Sequence, residues 1–365
     1  MEPVKTSFNA GDVIADQYEV LRIIGKGGMG VVYLVEDRNT GRQLALKSLL
    51  PRFATDAYAV RRFVREVNAV RRLSHPAIVS IYDARRIGHL FFYTMDYVEG
   101  KSLRVLMSER GRLGLGSTVR ILALLAHALE HAHQYTIHRD LSPENVMVVQ
   151  DGSIRLLDFG LAKLADNQGA FTQIGVSLGK WQYNAPEQQS NAADVDLRAD
   201  VYSLGVMFYE MLSGKFPELG QHLSKLVPGL PKECDAFFEK AAAMMPDDRF
   251  PNAREFRHAL VRLYQASRGA AGRQPAGAAR EVSHEGEYRF AGVEKERPYP
   301  VEYSPLTPIS EVVPDGADAD EVTSAPEAQE AALRGSGWRS SLADIWRKLR
   351  MWKPIRLKRG PRVKK

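Results

Sequence analysis

Apolar residues with high strand propensity cluster in three short runs near the start of the chain. The runs cover Tyr18 to Ile24, Val31 to Val35 and Gln43 to Leu46, with glycine-rich or polar residues between them. Runs of this kind predict strands. From Val60 to Leu73 apolar residues recur at intervals of three and four, which predicts an amphipathic helix, and Ile121 to Leu129 is a second helical run. Strand patterns therefore precede helix patterns along the chain.

A glycine-rich turn separates the first two predicted strands. It consists of Ile24, Gly25, Lys26, Gly27, Gly28, Met29, Gly30, Val31 and Val32. Glycines let a backbone approach phosphates closely, because a Cβ would block the contact. A dinucleotide-binding turn needs a helix after the glycines, whereas a β-branched run follows here, and the sequence has no P-loop pattern. The turn therefore predicts a hairpin that covers phosphates.

The most specific pattern is an octapeptide, His138 to Asn145, followed after a short interval by Asp158 to Gly160. Within it, Asp140 supplies a carboxylate that can orient a hydroxyl nucleophile. Asn145 and Asp158 supply oxygen ligands for a divalent cation on a triphosphate. A lone Asp-Phe-Gly is usually a turn, but together with the octapeptide it indicates phosphoryl transfer.

A lysine ends the third predicted strand. The spacing of Lys47 from the glycine turn is what distinguishes it from an ordinary solvated lysine, because that spacing fits an ammonium at the α- and β-phosphates. Glu66 lies beside the apolar stripe of the predicted helix from Val60 to Leu73. Taken alone, that position fits an exposed helix charge.

In order and spacing these motifs resemble those of bacterial, eukaryotic-like (Hanks-type) serine/threonine protein kinases. The resemblance runs from about Gln17 to about Ala266, and further marks of it are Arg65-Glu66, Leu73 to Pro76, Ala185 to Gln188, Asp200 to Gly205 and Pro246 to Phe250. It implies an α+β fold of two lobes, a small β-rich N-lobe and a large helical C-lobe. It also implies transfer of the ATP γ-phosphate to protein hydroxyl groups.

The resemblance implies a role for each candidate residue. Asp140 would orient the substrate hydroxyl, while Asn145 and Asp158 would bind Mg²⁺, with Mn²⁺ as the alternative ion. Lys47 and Glu66 would clamp the phosphates of ATP. The expected ATP-binding set consists of the turn from Ile24 to Val32 together with Ala45, Lys47, Met95, Asp96, Val98 and Met147. Two rival functions stay open: a pseudokinase scaffold without useful turnover, and an adaptor whose main function is membrane binding.

Two positions depart from the family pattern. Ser142 stands where the catalytic loop of the family has lysine, and Lys180 stands where the segment before Ala185 has threonine. In family members that lysine and threonine touch each other, so the exchange would return an ammonium to nearly the same place and make Lys180 catalytic. The alternative is that Lys180 shapes the substrate groove and faces an acidic peptide.

Two hydroxyl groups between Asp158 and Glu187 are candidate phosphorylation sites. Thr172 is the first candidate and Ser177 the second. Arg139, directly before the predicted catalytic aspartate, can form charge-assisted hydrogen bonds to a phosphate and so order this loop. The alternative is that both are ordinary solvated hydroxyl groups.

The sequence divides into four parts: an N-terminal extension (1–16), the kinase-like domain (17–266), a disordered linker (267–337) and a basic tail (338–365). The one cysteine, Cys234, excludes an intramolecular disulfide, which favours a reducing compartment. The first residues form no apolar leader, and no segment is apolar enough over a bilayer's width. We therefore expect a cytoplasmic protein, peripheral at the membrane if the tail binds lipid.

The basic tail carries eleven Lys or Arg residues and one acid, Asp344, for a net charge of +10 in a chain whose total is +6. Basic residues opposite interfacial tryptophans can lie on an anionic membrane surface or bind an acidic partner. Docking on the kinase domain is the alternative, and nucleic acid is the least favoured ligand. At helical spacing, one face of the tail holds Trp338, Leu342, Ile345, Trp346, Leu349 and Trp352.

Overall fold

The computed structural model describes residues 7–27, 30–49, 67–88, 90–159, 180–190 and 195–271. All of them belong to the first of two compact units, Met1–Val313, and the second unit is Pro314–Lys365. The predicted linker beyond residue 271 and the basic tail lie outside the described residues.

The N-lobe is built on an antiparallel sheet of six strands in the order β1-β2-β3-β4-β6-β5. The three strands predicted from the sequence are β2, β3 and β4, so these predictions are confirmed. Large side chains such as Tyr33, Leu46 and Phe92 are fully buried on one face of the sheet. The strands are β1 (Val13–Ile14), β2 (Tyr18–Lys26), β3 (Gly30–Asp37), β4 (Arg42–Leu49), β5 (Ile81–Ile87) and β6 (Leu90–Asp96).

Part of the N-terminal extension is integrated into this sheet. Strand β1 pairs with β2, and Phe8 is buried with its ring edge-on to Tyr33 at a centroid distance of 5.8 Å. The backbone N–H of Phe8 also donates to the Tyr33 hydroxyl at 3.3 Å. The extension therefore covers one end of the N-lobe core.

The predicted amphipathic helix is described only at its C-terminal end. Residues 67–71 are helical, and Val67, Val70 and Leu73 are buried, as the three- and four-residue spacing predicts. They pack into the large core cluster that also contains Phe91, Tyr93 and Met95 of β6. Glu66 lies just outside the described residues.

The C-lobe is helical around α4. Helix α4 has apolar residues on all sides, as expected of a helix buried at the centre of a domain, and nearly all of its residues are buried. Its Gly205 has no room for a Cβ, which would lie 2.9 Å from the Ala241 Cβ on α6. The helices are α1 (Leu103–Arg110), α2 (Leu115–Ala132), α3 (Pro186–Ser190), α4 (Arg198–Ser213), α5 (Leu223–Leu226), α6 (Glu233–Ala241) and α7 (Ala253–Ala271).

Short elements flank the predicted catalytic loop, His138 to Asn145. A three-stranded sheet, β7-β8-β9, follows the order of the chain, and a 3₁₀ turn precedes β8. No helix within the described ranges combines the length and apolar character needed to cross a bilayer. The strands are β7 (Lys101–Ser102), β8 (Val146–Val148) and β9 (Ile154–Leu156), and the 3₁₀ turns are Pro143–Asn145, Lys180–Tyr183 and Pro246–Asp248.

Candidate active site

The glycine-rich turn joins β2 to β3 as a hairpin, which confirms the predicted strand–turn–strand arrangement, while its role in covering phosphates stays a prediction. The Gly27 N–H donates to the Gly30 carbonyl at 2.9 Å, closing the turn across Gly28 and Met29, which are outside the described residues. A Cβ on Gly30 would lie 2.0 Å from the Ser48 carbonyl oxygen. Glycine is required at residue 30 because β3 approaches β4 too closely for any side chain.

Lys47 reaches from the N-lobe sheet to the C-lobe. Its Nζ lies 2.7 Å from Oδ2 of Asp158, and both side chains are mostly buried. The two residues are separated by 111 positions in the sequence, so only the packing of the lobes brings them together. The expected partner Glu66 is outside the described residues, and the role predicted for it stays a prediction.

A second N-lobe side chain holds the other oxygen of Asp158. The Tyr93 hydroxyl donates to Oδ1 of Asp158 at 2.9 Å, and Tyr93 is 1% exposed. Burial and the neighbouring carboxylate raise the pKa of Tyr93 well above its ordinary value, so the phenol is neutral and donates. Sequence reasoning missed Tyr93. The sequence feature that could have indicated it is a tyrosine within an apolar strand, because a buried tyrosine hydroxyl needs a polar partner.

The catalytic loop is held together by Asn145. The amide Nδ2 donates to the Asp140 carbonyl at 2.8 Å and to the Asp140 Oδ2 at 3.1 Å. Asn145 is 4% exposed, and its nitrogen faces Asp140, so the amide oxygen is the atom suited to a cation. The structure therefore brings Asp140 and Asn145 together, as predicted from the octapeptide.

Asp200 anchors the backbone of the catalytic loop from helix α4. Its carboxylate accepts the N–H groups of His138 and Arg139, each at 2.8 Å, and a hydrogen bond from His133 Nε2 at 2.9 Å. Burial alone would raise the pKa of Asp200, but these hydrogen bonds and the nearby histidines outweigh it and hold the pKa below its usual value. A carboxylate buried at the centre of the lobe is stabilised by the loop that it fixes.

His138 connects the catalytic loop to the segment that carries Asp158. Its Nε2 donates to the Leu157 carbonyl at 2.9 Å. The centroid of its ring lies 4.7 Å from the ring centroid of the buried Phe159. Burial lowers the pKa of His138, so the imidazole is neutral. The Asp140 N–H donates to its Nδ1 at 3.3 Å, which fixes the tautomer with the proton on Nε2.

The predicted adenine-binding residues lie on strands of the two sheets, except Val98, which follows β6. Ala45 and Met95 are buried and paired across β4 and β6. The carboxylate of Asp96 is already hydrogen-bonded, because it accepts the Ser80 N–H at 2.8 Å and the Tyr82 hydroxyl. The backbone N–H of this residue also donates, to the Ser80 carbonyl at 3.1 Å, so neither the side chain nor the N–H of Asp96 is left to meet a base. Four further apolar members of the ATP-binding set are half-buried, namely Ile24, Val32, Val98 and Met147.

The structure shows the side chain of Ser142 but only the backbone of Lys180, the two positions at which residue types are exchanged. Ser142 is 1% exposed, and its hydroxyl has no hydrogen-bond partner among the described residues. Lys180 begins the 3₁₀ turn Lys180–Tyr183, but only its backbone is described. Thr172 and Ser177 lie outside the described residues, so both phosphorylation predictions stay predictions.

Arg104 links four elements beside the catalytic loop, and sequence reasoning did not find it. Its guanidinium donates to Glu144 at 2.7 Å, to Glu210 at 2.7 Å and to the Tyr183 hydroxyl. The Tyr183 hydroxyl in turn donates to Glu210. Since Arg104 lies on α1 and Glu210 on α4, the network ties two helices to the catalytic loop and the turn before Ala185.

Two sets of contacts hold α3 in the C-lobe. Arg249 and Glu187 form a two-pronged ion pair at 2.7 and 2.8 Å, with the Arg249 side chain fully buried. Gln188 donates to the Arg139 carbonyl at 2.8 Å and accepts the Ala185 N–H at 2.9 Å. These bonds join the start of α3 to the catalytic loop.

The residues brought together fit a nucleotide with a divalent cation. Mg²⁺ typically takes only one or two oxygen ligands from a protein and the rest from phosphates and water. Asn145 and Asp158 offer such a pair, beside the Lys47 ammonium and the glycine hairpin. Asp140 lies next to them to receive a hydroxyl group. The two-lobed fold and this site define a phosphotransferase of the protein kinase class.

Comparison with known proteins identifies the family. The sequence model of the protein kinase domain matches residues 18–268, and the chain belongs to that family. It is similar to the serine/threonine-protein kinase PknB of Mycolicibacterium smegmatis, 36% identical over 273 residues, which cover 69% of this chain and 44% of PknB. PrkC of Bacillus subtilis is 32% identical over 274 residues, covering 71% of this chain and 42% of PrkC.

The solved structures agree with the fold. The crystal structure of the Mycobacterium tuberculosis PknI kinase domain is similar at a TM-score of 0.60 and 34% identity, covering 70% of this chain and all of that domain. The two-lobed α+β fold predicted from the sequence is thereby confirmed. The chain spans less than half the length of PknB and PrkC. Family membership implies the use of ATP with a divalent cation.

Proposed function

We propose that this chain is a serine/threonine protein kinase that transfers the γ-phosphoryl group of ATP, bound with Mg²⁺, to protein hydroxyl groups. The observation that carries the proposal is the convergence of Lys47, Asp140, Asn145 and Asp158 at the lobe interface. The names of the relatives PknB and PrkC favour Ser and Thr as acceptors. The four intact residues oppose the pseudokinase alternative.

Each residue has a separate task in this mechanism. Asp140, oriented by Asn145, accepts a hydrogen bond from the acceptor hydroxyl and takes up its proton as the phosphoryl group transfers. Lys47 supplies positive charge for the phosphates. Asp158 and the oxygen of Asn145 would hold the cation, which neutralises charge on the phosphates when it is bound.

A phosphorylation assay with radiolabelled ATP tests the proposed function. The purified full chain should label itself or a generic acceptor protein, and acid hydrolysis should recover the label on serine or threonine. Asp158→Asn should abolish labelling, because it removes the anionic cation ligand. The matched control Asp151→Asn changes an exposed loop aspartate and should leave labelling intact. Label on tyrosine alone, or full labelling by Asp158→Asn, would contradict the proposal.

We further propose that the basic tail, residues 338–365, holds the kinase at the surface of anionic membranes from the cytoplasmic side. The support is its net charge of +10 and the tryptophan-bearing apolar face. Each basic residue near such a surface contributes about 1 kcal/mol, so half of them suffice for reversible binding. The attraction is electrostatic in part, and salt should weaken it.

Sedimentation with liposomes tests the tail. The full chain should pellet with vesicles that contain phosphatidylserine and stay in solution with phosphatidylcholine vesicles. A chain ending at Gly337 should stay in solution with both. Equal sedimentation of the two chains would exclude membrane binding by the tail, and binding of the full chain to DNA but not to vesicles would favour nucleic acid instead.

A further inference from the structure

The carboxylate of Asp158 is held by two donors from neighbouring strands of the N-lobe. Lys47 on β4 and Tyr93 on β6 are direct cross-strand partners. Partners directly opposite each other in a sheet present their side chains on the same face. The Lys47 ammonium therefore contacts Oδ2 at 2.7 Å while the Tyr93 hydroxyl contacts Oδ1 at 2.9 Å. One cross-strand pair, Lys47 and Tyr93, therefore binds both carboxylate oxygens of Asp158.

The hydroxyl of Tyr93 is not explained by packing. Tyr93 belongs to the large apolar core cluster, together with Phe91 and Met95 on the same face of β6. Burying a hydroxyl among apolar side chains costs free energy unless it forms a hydrogen bond. Phenylalanine would fill the same space without that cost, as it does at Phe91 and Phe92. The hydroxyl is therefore best explained by its bond to Asp158.

The Asp158 carboxylate needs this restraint. Its backbone has φ of +40°, a conformation that costs a non-glycine residue about 1–3 kcal/mol. If Lys47 were the sole side-chain donor from the sheet, the carboxylate could rotate to place both oxygens on the ammonium. The Tyr93 hydroxyl opposes that rotation by holding Oδ1. A carboxylate oxygen has two lone pairs, so accepting a hydrogen bond is compatible with binding a cation.

We propose that Tyr93 is a positioning residue that orients the Asp158 carboxylate for the divalent cation and thereby sets the affinity of the nucleotide-bound chain for that cation. The inference rests on the proposed function, because it assigns the cation to Asp158. It adds a residue that acts through Asp158 and touches neither cation nor nucleotide.

Direct measurement of cation binding tests the role of Tyr93. Binding of Mn²⁺ to the full chain with a non-hydrolysable ATP analogue can be followed by electron paramagnetic resonance. Tyr93→Phe removes only the hydroxyl and should raise the dissociation constant of Mn²⁺ by about tenfold, the loss expected for one hydrogen bond to a charged group. Binding of the analogue without a cation should not change.

The matched control is Tyr33→Phe, which removes another buried N-lobe hydroxyl, one that accepts the Phe8 N–H far from Asp158 in the fold. It should leave Mn²⁺ binding unchanged. In the Asp158→Asn background, Tyr93→Phe should have no further effect on Mn²⁺ binding, because residues acting through one contact are not additive.

Four outcomes separate this inference from the proposed function. Equal Mn²⁺ affinity of Tyr93→Phe and the unaltered chain would overturn the role of Tyr93, and so would an equal loss in Tyr33→Phe. Tyr93→Phe could also lower Mn²⁺ affinity by destabilising the fold, which a lower melting temperature would reveal. In that case Tyr93→Phe would weaken Mn²⁺ binding as much in the Asp158→Asn background as in the unaltered chain, and this result would overturn the proposal. Normal Mn²⁺ binding without phosphoryl transfer would refute the kinase activity alone.

Discussion

At the residue scale, two side chains of the site sit on backbone that a non-glycine residue rarely adopts. Arg139 has φ of +62° and Asp158 has φ of +40°. Such conformations cost about 1–3 kcal/mol each and persist where surrounding bonds enforce them. Asp200 binds the Arg139 N–H, and Gln188 binds its carbonyl. The same bonds that offset the strain place Asp140 next to Asn145.

The residue exchange gives a prediction for Lys180. A cation aimed at the transferring phosphate contributes on the order of 10² in rate, so Lys180→Met should lower kcat by about that factor. The buried Ser142 hydroxyl, without a partner among the described residues, marks the position from which the family lysine is missing. Ser142→Lys combined with Lys180→Thr should recover kcat above that of Lys180→Met.

Steady-state kinetics on a peptide without acidic residues provides the measurement for Lys180. This substrate removes the alternative in which Lys180 only attracts an acidic peptide. Full kcat for Lys180→Met on that peptide, or no recovery in the double variant, would contradict a catalytic role for Lys180.

A cluster of three histidines joins the end of the partly described N-lobe helix to α2. His75 Nε2 lies 3.1 Å from His127 Nδ1, and the His75 ring stacks on His131. His75 Nδ1 accepts the Ala77 N–H at 3.1 Å. Burial, followed by the charges of His127, His131 and Arg155, lowers the pKa of His75 to about 4. The cluster is therefore stable with neutral His75.

This cluster predicts how stability depends on pH. The folded-state pKa of about 4 lies below the ordinary 6.5, so the unfolded chain binds more protons between these values. The contribution of His75 to the free energy of unfolding is complete above pH 6.5 and decreases as pH falls toward about 4. His75→Asn keeps an acceptor for Ala77 and should flatten this dependence.

Thermal unfolding across this pH range measures the effect. The melting temperature of the unaltered chain should fall more steeply with acidification than that of His75→Asn. His258→Asn, which changes an exposed histidine on α7, should follow the unaltered chain. Parallel curves for all three proteins would rule out His75 as a source of acid sensitivity.

At the element scale, the turn Lys180–Tyr183 is fixed at its end to the catalytic loop. Tyr183 is buried and shares hydrogen bonds with Arg104 and Glu210, and Arg104 also binds Glu144. Ser203 on α4 additionally donates to the Tyr183 carbonyl at 2.8 Å. The C-terminal end of this turn is therefore held at Tyr183, while the segment after Asp158 joins the turn at its other end, Lys180.

That segment carries the prediction of phosphorylation. Arg139 adjoins Asp140 and can bind a phosphate through charge-assisted hydrogen bonds, which would order the segment and raise activity. Mass spectrometry of active protein should find phosphate on Thr172 or Ser177. Thr172→Ala with Ser177→Ala should lower activity, whereas Ser190→Ala, at the end of α3, serves as the control. Active protein unmodified at both residues would contradict the prediction.

At the scale of the whole molecule, the strands and the catalytic loop were predictable, but the contacts between them were not. The β2–β3 hairpin followed from local propensity, and the octapeptide identified Asp140 and Asn145. Tyr93 and Asp158 are separated by 65 positions and Arg104 and Glu210 by 106. Such pairs depend on strand register and on the packing of the lobes, which no local pattern encodes.

The N-terminal extension shows the same limit. Strand β1 has only two residues, too few for a periodic pattern, so its pairing with β2 could not be predicted from the sequence. Phe8 was an isolated apolar residue in a polar segment until the fold placed it against Tyr33. Short elements are stabilised by tertiary contacts more than by their own propensity.

The central claim is that this chain is a working kinase with Asp140 at the reaction centre. The most direct test compares nucleotide binding with turnover in the variant Asp140→Asn. This variant keeps the shape of the side chain and removes its charge and basicity. We predict that calorimetry finds unchanged affinity for the ATP analogue with Mg²⁺, while kcat falls by about 10²-fold or more. Equal turnover in the two proteins, or tight nucleotide binding without any turnover in the unaltered chain, would contradict the claim.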